Sequence, residues 1–373
     1  MSWRKLTAAL IQVGSLPDDW GPVFLAAPRE DFTPDRVNVD GVWVDRAVSP
    51  ARWTELVHSD LPLVTQLDDG DQVGSDTPSS SSSMPSVVAR MLRHLDPQPG
   101  MTVLDVGTGT GWTSALLSAR LGDAAVTTIE VDATVAEEAR ERLDRAGVKP
   151  RTVVGDGYAG YPETAPYDRI HSTASVQQVP RAWIEQTRPG GVIVTPYGTT
   201  FCNGALLRLV VGQDGSATGR FVEDVAFMWV RSQRPSSNYD VPDGIGYSPS
   251  TVDPAEALGT HIANFAVGLT LPGVWTSDTW SDPVRWGTAR TEVWDGTSYA
   301  HCRFADWDAP HAVASSGPRR LWDEVCAAYG WWVAQGKPGL DAFGMTITAD
   351  GEHRLWLGDP SNPLPDFTAE QQP

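Results

Sequence analysis

Cysteine is scarce in this chain: Cys202, Cys302 and Cys326 are all there are among 373 residues. No two share the C-x-x-C spacing of a zinc or redox site, and an odd count suits no closed disulfide framework. No metal site and no thiol nucleophile is expected, and a reducing, cytoplasmic setting is. Positive charge is also scarce. Against 47 Asp and Glu stand 28 Lys and Arg, a formal net charge of -19. Such a surface repels a phosphate backbone, so no nucleic-acid partner is expected, whereas a basic peptide would be attracted. Long apolar runs are missing as well. The stretch 6–13 is too short to span a bilayer. It contains Gln12 and is followed by Gly14 to Pro17 without a small-x-small cleavage pattern. It reads as an amphipathic first helix, with neither signal peptide nor membrane contact expected. No internal repeat is visible.

Three regions separate by pattern. Up to about residue 75, Pro17, Pro22, Pro28, Pro34, Pro50 and Pro62 interrupt any long helix. From about 85 to 200, short β-rich runs alternate with helical ones, which argues for βαβ units and a parallel sheet. Strands are predicted over 102–106, 126–131, 151–154, 169–173 and 192–196. Helices are predicted over about 113–120 and after residue 131, where Val135, Ala139, Leu143 and Ala146 share one face. A further helix begins at Pro180 and stops at Pro189-Gly190-Gly191. Residues 205–211 and 221–230 read as an antiparallel pair, and 231 to about 253 as a polar linker. Beyond 254 lie nine of the sixteen tryptophans and no βαβ alternation, which predicts a second, smaller α+β domain.

The strongest local signal is Val103-Leu104-Asp105-Val106-Gly107-Thr108-Gly109-Thr110-Gly111. A strand runs into glycines that open a helix, and glycine admits positive φ and close approach of a ligand. Alone, such a run serves dinucleotide enzymes and methyltransferases equally. Its neighbours narrow the choice. Glu130 ends the second predicted strand, followed by Val131, and a carboxylate there can accept from both ribose hydroxyls. Asp156 and Gly157 end the third, on the same carboxyl edge of the sheet. The spacing is G-x-G-x-G rather than G-x-G-x-x-G, and Asp105 suits a cationic amino-acid end better than a pyrophosphate. The candidate cofactor residues are therefore Asp105, Gly107, Thr108, Gly109, Gly111, Glu130, Val131, Asp156 and Gly157, and the cofactor they suit is S-adenosylmethionine.

At this point the chain resembles the protein-L-isoaspartate O-methyltransferases. Ala27-Pro28-Arg29-Glu30-Asp31-Phe32-Thr33-Pro34 is similar to that family's amino-terminal segment. Ser81-Ser82-Ser83-Met84-Pro85 resembles its Thr-Ile-Ser-x-Pro loop. Gly155-Asp156-Gly157, Ala165-Pro166-Tyr167-Asp168, Val179-Pro180, Pro189-Gly190-Gly191 and the closing stretch 225–230 follow in family order. The resemblance covers about residues 5–231 and implies a Rossmann-like class I methyltransferase, α/β, with a doubly wound, mostly parallel sheet. It implies a catalytic domain over 1–231: a substrate segment to about 80, a cofactor core over about 81–200, and antiparallel strands over about 201–231. An accessory α+β domain over 232–373 would follow.

Two features depart from the family. The loop is Ser-Ser-Ser inside a run of five serines from Ser79 to Ser83, a composition that by itself suggests a flexible linker. Aligned on Pro85, Ser83 takes the position of the family's active-site serine, with Ser82 and Ser81 as alternatives one or two residues away. The region beyond 231 is one that repair enzymes of the family are expected to lack. Extended relatives of this kind resemble enzymes acting on ribosomally made, enzymatically cyclised peptides of the lanthipeptide, lasso peptide or graspetide type. The implied activity is methylation of an aspartate in such a precursor, giving a succinimide or isoaspartate. Repair of isoaspartyl proteins is the alternative, and a non-catalytic cofactor-binding module the alternative of another class. His58, His94 and His171 form no arguable triad with a serine, and the late tryptophans read as a small core or a peptide-binding wall.

Overall fold

The structure is a computed structural model that describes residues 1–71, 74–234, 241–279 and 289–368. Its centre is a nine-stranded sheet. In spatial order its strands are His353–Leu357, Phe343–Ile347, Ala217–Asp224, Asn203–Val211, Thr187–Gly198, Tyr167–Ser172, Val103–Val106, Val126–Glu130 and Arg151–Val154. The last five run parallel and the first four antiparallel.

Both faces of the sheet are covered, which is why its strands read as nearly continuous apolar runs. Leu104, Ile193, Leu207 and Leu209 face one core, shared with Trp183 and Ile184 of the helix Arg181–Glu185. Val103, Val192, Val194 and Leu206 face the other. There the amino-terminal helices pack with Pro85–Leu95 and Trp112–Leu121. Trp3 and Phe24 each meet Trp112 edge-on at 5.7 Å. This is the Rossmann-like class I methyltransferase architecture, here with a mixed sheet.

Several elements depart from the sequence-based expectation. Pro189-Gly190-Gly191 does not precede a strand but lies within Thr187–Gly198, where the ladder shifts register. The antiparallel strand expected to run to Val230 stops at Asp224, because the following residues leave the ladder and bond to the Ser175 loop. Ser175 donates to the Met228 carbonyl at 2.7 Å and accepts from Val230 at 2.9 Å. The serine run is ordered: Pro78–Ser82 is an edge strand paired with Leu63–Leu67 in a separate four-stranded antiparallel sheet. Of the expected linker, residues 235–240 lie outside the described residues, and 231–234 fold back onto the catalytic core.

The region beyond 241 contributes the helices Pro254–Leu258, His261–Leu269 and Leu321–Ala334 and a five-stranded antiparallel sheet. The boundary expected at 231/232 is crossed twice. The hairpin Phe343–Leu357 adds two strands to the central sheet through Ala217–Asp224. One apolar cluster also runs from Leu104 and Ile193 through Phe265, Trp322 and Trp332 to Phe343. Trp280 and Trp286 lie outside the described residues; Trp294, Trp322, Trp332 and Trp356 are buried and serve as core.

Candidate active site

A cleft of about 920 Å³, solvent at its mouth included, opens at the carboxyl edge of the parallel strands. It sits where the chain leaves Val103–Val106 on one side for Val126–Glu130 and on the other for Tyr167–Ser172, the switch point at which open α/β sheets bind ligands. Residues 106–110, Glu130, Val131, Asp156 and Gly157 form one wall. Ser79, Ser80, Ser81, Ser83, Thr173, Ala174, residues 227–231 and Arg234 form the other.

The first wall is mostly backbone. Gly107 has φ +89°, and a Cβ there would meet Thr173 Oγ1 at 2.8 Å. Thr173 Oγ1 in turn donates to the Gly107 carbonyl at 2.8 Å. A Cβ on Gly157 would lie 2.5 Å from Val106 Cγ1. Both glycines are thus required by space, not only by flexibility. Glu130 Oε2 accepts from Gly109 N at 2.9 Å and Oε1 from Asp132 N at 3.2 Å. Each oxygen keeps a lone pair free to accept a hydroxyl. Burial holds the Glu130 carboxyl above its ordinary value of 4.5, while the two backbone N–H groups pull it back. Asp156 Oδ1 accepts from Tyr158 N at 2.9 Å, and the Gly157 carbonyl accepts from Trp183 Nε1 at 2.8 Å. A glycine-lined floor with a partly satisfied carboxylate bonded to the loop at Gly109 is a set of groups that fits a nucleoside bearing a short, charged side arm.

Asp105 and Gly111 are not in either wall. Asp105 is 0% exposed: Oδ1 bonds His171 Nδ1 at 2.8 Å, and Oδ2 accepts from Ser114 Oγ at 2.6 Å. Its carboxylate is taken up by the neighbouring strand and the following helix, and it does not line the cleft where the sequence suggested contact with an amino-acid end. His171 is itself fully buried in this pair, and His58 and His94 bond Glu30 and Glu223 away from the cleft. Gly111 supplies a positive φ at the start of the helix Trp112–Leu121, where a Cβ would crowd Leu143.

The second wall separates the three candidate serines. Ser81 and Ser83 face the cleft. Ser82 points the other way, is 1% exposed, and accepts from Arg29 Nε at 2.9 Å. Its expected place among the reacting groups is thereby corrected. The two walls touch where the Ser81 carbonyl would lie 3.6 Å from a Cβ on Gly109. Sequence reading missed the rest of this wall. Arg234 forks onto Asp69 at 2.7 and 3.0 Å. Arg231 bridges Asp69 at 3.1 Å and Asp132 at 2.9 Å, and Gln66 Nε2 also donates to Asp132 at 3.1 Å. Hydrogen bonding from Arg234 first, and the charge of Arg231 besides, hold the Asp69 carboxyl below its usual range. The only sequence signal was two arginines in a segment whose polarity reads as linker.

The comparisons with known proteins agree with this geometry. The family model for protein-L-isoaspartate(D-aspartate) O-methyltransferase (PCMT) matches residues 18–234. The protein-L-isoaspartate O-methyltransferase of Hyperthermus butylicus is 33% identical over 236 residues, covering 60% of this chain and 86% of that protein. That of Pyrococcus horikoshii is 40% identical over 147 residues, covering 39% of this chain and 66% of that protein. A solved protein-L-isoaspartate O-methyltransferase structure superposes with a TM-score of 0.55 at 18% identity, over 95% of this chain and 99% of its own. That last likeness concerns the fold alone, and it extends over the carboxyl-terminal region.

Proposed function

We propose that this chain, which belongs to the protein-L-isoaspartate(D-aspartate) O-methyltransferase family, methylates the free α-carboxylate of isoaspartyl residues in polypeptides. The reaction class, S-adenosylmethionine-dependent protein carboxyl O-methylation, comes with membership of the family. The carrying observation is the meeting, at one sheet edge, of the Gly107–Thr108–Gly109 floor and Glu130 with the cleft-lining residues Ser81 and Ser83.

When bound, the cofactor supplies an electrophilic methyl group and a neutral leaving sulfide. The chain's own residues do the positioning. Glu130 accepts ribose hydroxyls, and the glycine floor lets the cofactor lie against backbone. Ser83, with Ser81 beside it, donates hydrogen bonds to the acceptor carboxylate, which is already ionised at neutral pH and needs no general base. Alignment of oxygen, carbon and sulfur is worth about 7–11 kcal/mol in favourable cases. The methyl ester formed is then open to attack by the next residue's backbone nitrogen; methanol leaves, a succinimide closes, and water reopens it to aspartate or isoaspartate. Neither closing step needs a side chain of this protein.

Methylation of an aspartate in a cyclised ribosomal precursor is a narrower reading of the same site. Its motive was the carboxyl-terminal region, and the isoaspartyl reading accommodates that region equally. Three free, buried cysteines suit a reducing cytoplasm, and among the described residues no helix is long and apolar enough to cross a membrane. Mass spectrometry on matched aspartyl and isoaspartyl peptides, each linear and cyclised, separates the two readings. Methyl gain on the linear isoaspartyl peptide and not on its aspartyl twin is expected. Methyl gain followed by loss of methanol on the cyclised aspartyl peptide alone would move the function to precursor maturation. Transfer to none of the four would overturn both.

A further inference from the structure

Among the described residues, Arg29 is the one arginine whose whole side chain is withdrawn from solvent, at 0% exposure. Its partners lie on the acceptor side of the cleft. Nε donates to Ser82 Oγ at 2.9 Å, and Nη2 to the Ser82 carbonyl at 2.7 Å and the Leu61 carbonyl at 2.9 Å. Nη1 reaches the Ser59 carbonyl at 3.3 Å. The guanidinium carbon stands 5.7 Å from the centre of the Trp112 ring, which lines the cleft and begins the helix after the glycine floor. Trp112 Nε1 also donates to the Ala27 carbonyl at 3.0 Å, two residues before Arg29. Asp60, the nearest opposing charge, accepts from Ser86 N at the start of the helix Pro85–Leu95.

Burying a guanidinium is costly unless its donors are met, and here the partners that meet them are backbone carbonyls and one hydroxyl rather than a carboxylate fork. Burial draws the group down to about 9, still protonated at neutral pH. A serine-rich edge strand has little of its own to fix its register or the direction of its side chains. Two bonds to Ser82, one to its carbonyl and one to its hydroxyl, turn that residue inward, while its neighbours Ser81 and Ser83 line the cleft.

We infer that Arg29 is a positioning residue for methyl transfer: it locks Ser82 inward and so holds the Ser81 and Ser83 hydroxyls at the acceptor carboxylate, in fixed relation to the glycine floor through Trp112. The inference rests on the reading that Ser81 and Ser83 face the acceptor. It makes the acceptor wall dependent on a residue 53 positions earlier in the chain.

Arg29→Lys keeps the charge but replaces the planar fork with one ammonium that cannot serve Ser82 and two other carbonyls together. Assayed on an isoaspartyl peptide, it is expected to lose kcat roughly a hundredfold, the scale of a displacement of about 1 Å in a reacting group. KM for the peptide and affinity for S-adenosylhomocysteine, measured by calorimetry, are expected to stay near wild type. Ser82→Ala, which removes a single partner, is expected to lose roughly tenfold in kcat, and the double variant to be no worse than Arg29→Lys. Hydrogen exchange supplies a readout that needs no turnover: faster exchange at the amides of Ser81 to Ser83 with Gly107 to Thr110 unchanged. Loss of melting temperature with kcat and serine-loop exchange intact would reduce Arg29 to a structural weld and overturn the inference. If Arg29→Lys does not fold, Ser82→Ala decides by the same two readouts. A wild-type protein that transfers no methyl to the peptide would sink the functional reading, and exchange in the variants would still decide what holds the loop.

Discussion

The cofactor wall of the cleft is made of strand ends lying within about fifty residues of one another, whereas the acceptor wall is gathered from segments spread from Asp69 to Arg234. On the cofactor side, backbone at Gly107, Gly109 and Gly157 leaves room, and one carboxylate, Glu130, adds charge. On the acceptor side, Ser81 and Ser83 project from an edge strand, residues 227–231 close over them, and Arg231 and Arg234 tie the closure to Asp69 and Asp132. Geometry of the first kind is set by local sequence. Geometry of the second kind is set by tertiary contacts between distant segments, and each contact is a place where the wall can be moved without disturbing the other.

Substitutions at four positions sharpen or break this contrast. The largest effect is expected where both walls share a footing. Phe343 is fully buried in the strand that extends the central sheet, so Phe343→Ala should cost about 3–5 kcal/mol. Calorimetry should show one transition moving down, with both walls lost together; two separate transitions would make the carboxyl-terminal region an independent body.

Glu130→Ala should weaken S-adenosylmethionine by about two to four orders of magnitude, since two charged hydrogen bonds at about 1.5–3 kcal/mol each are removed, with kcat at saturation kept. A fall in kcat as large as the fall in affinity would blur the two walls. Acidification probes the same group. Its folded value lies above 4.5 because of burial, so the carboxylate is lost as pH falls through that raised value, and cofactor affinity should decline at a pH above 4.5. By linkage, ionised Glu130 costs folding stability above the ordinary value, and the cost vanishes as pH falls below both values. Glu130→Gln should therefore raise the melting temperature of the cofactor-free protein at neutral pH, with the gain fading in acid.

Ser83→Ala removes one hydrogen bond to a carboxylate, about 1.5–3 kcal/mol, and should lower kcat roughly ten- to a hundredfold with cofactor affinity unchanged. Wild-type turnover in that variant would remove Ser83 from the reaction. The smallest effect belongs to Arg234→Ala. Its pair with Asp69 is about one third exposed on each side, so about 0.5 kcal/mol is expected, a two- to threefold change in KM that shrinks with added salt. Because the Asp69 carboxyl is held low, that pair should persist down through the ordinary carboxylate range and be lost only in stronger acid.

The legibility of the sequence follows the same division. The strand-glycine-helix passage, Glu130 and Asp156 could be placed because strand ends in an alternating α/β chain all fall on one edge. Asp105 could be placed on the edge but not on a face: a side chain just before a glycine turn points either to the ligand or into the sheet, and here Ser114 and His171 take it inward. Ser82 shows the same ambiguity in a strand of identical residues, where distant partners, Arg29 for Ser82 and Thr65 for Ser80, distinguish one serine from the next. Arg231 and Arg234 looked like linker because their partners, Asp69 and Asp132, are far off in sequence. The hairpin Phe343–Leu357 joined a sheet begun some 240 residues earlier, a pairing that no periodicity announces.

The most direct test is a crystal structure of the protein with S-adenosylhomocysteine and a short isoaspartyl peptide. The isoaspartyl carboxylate is expected within hydrogen-bond reach of Ser83 Oγ, with the ribose hydroxyls on Glu130 and Ser82 still turned to Arg29. A peptide carboxylate bound away from Ser81 and Ser83, or a ribose that leaves Glu130 without a partner, would contradict the two-walled site.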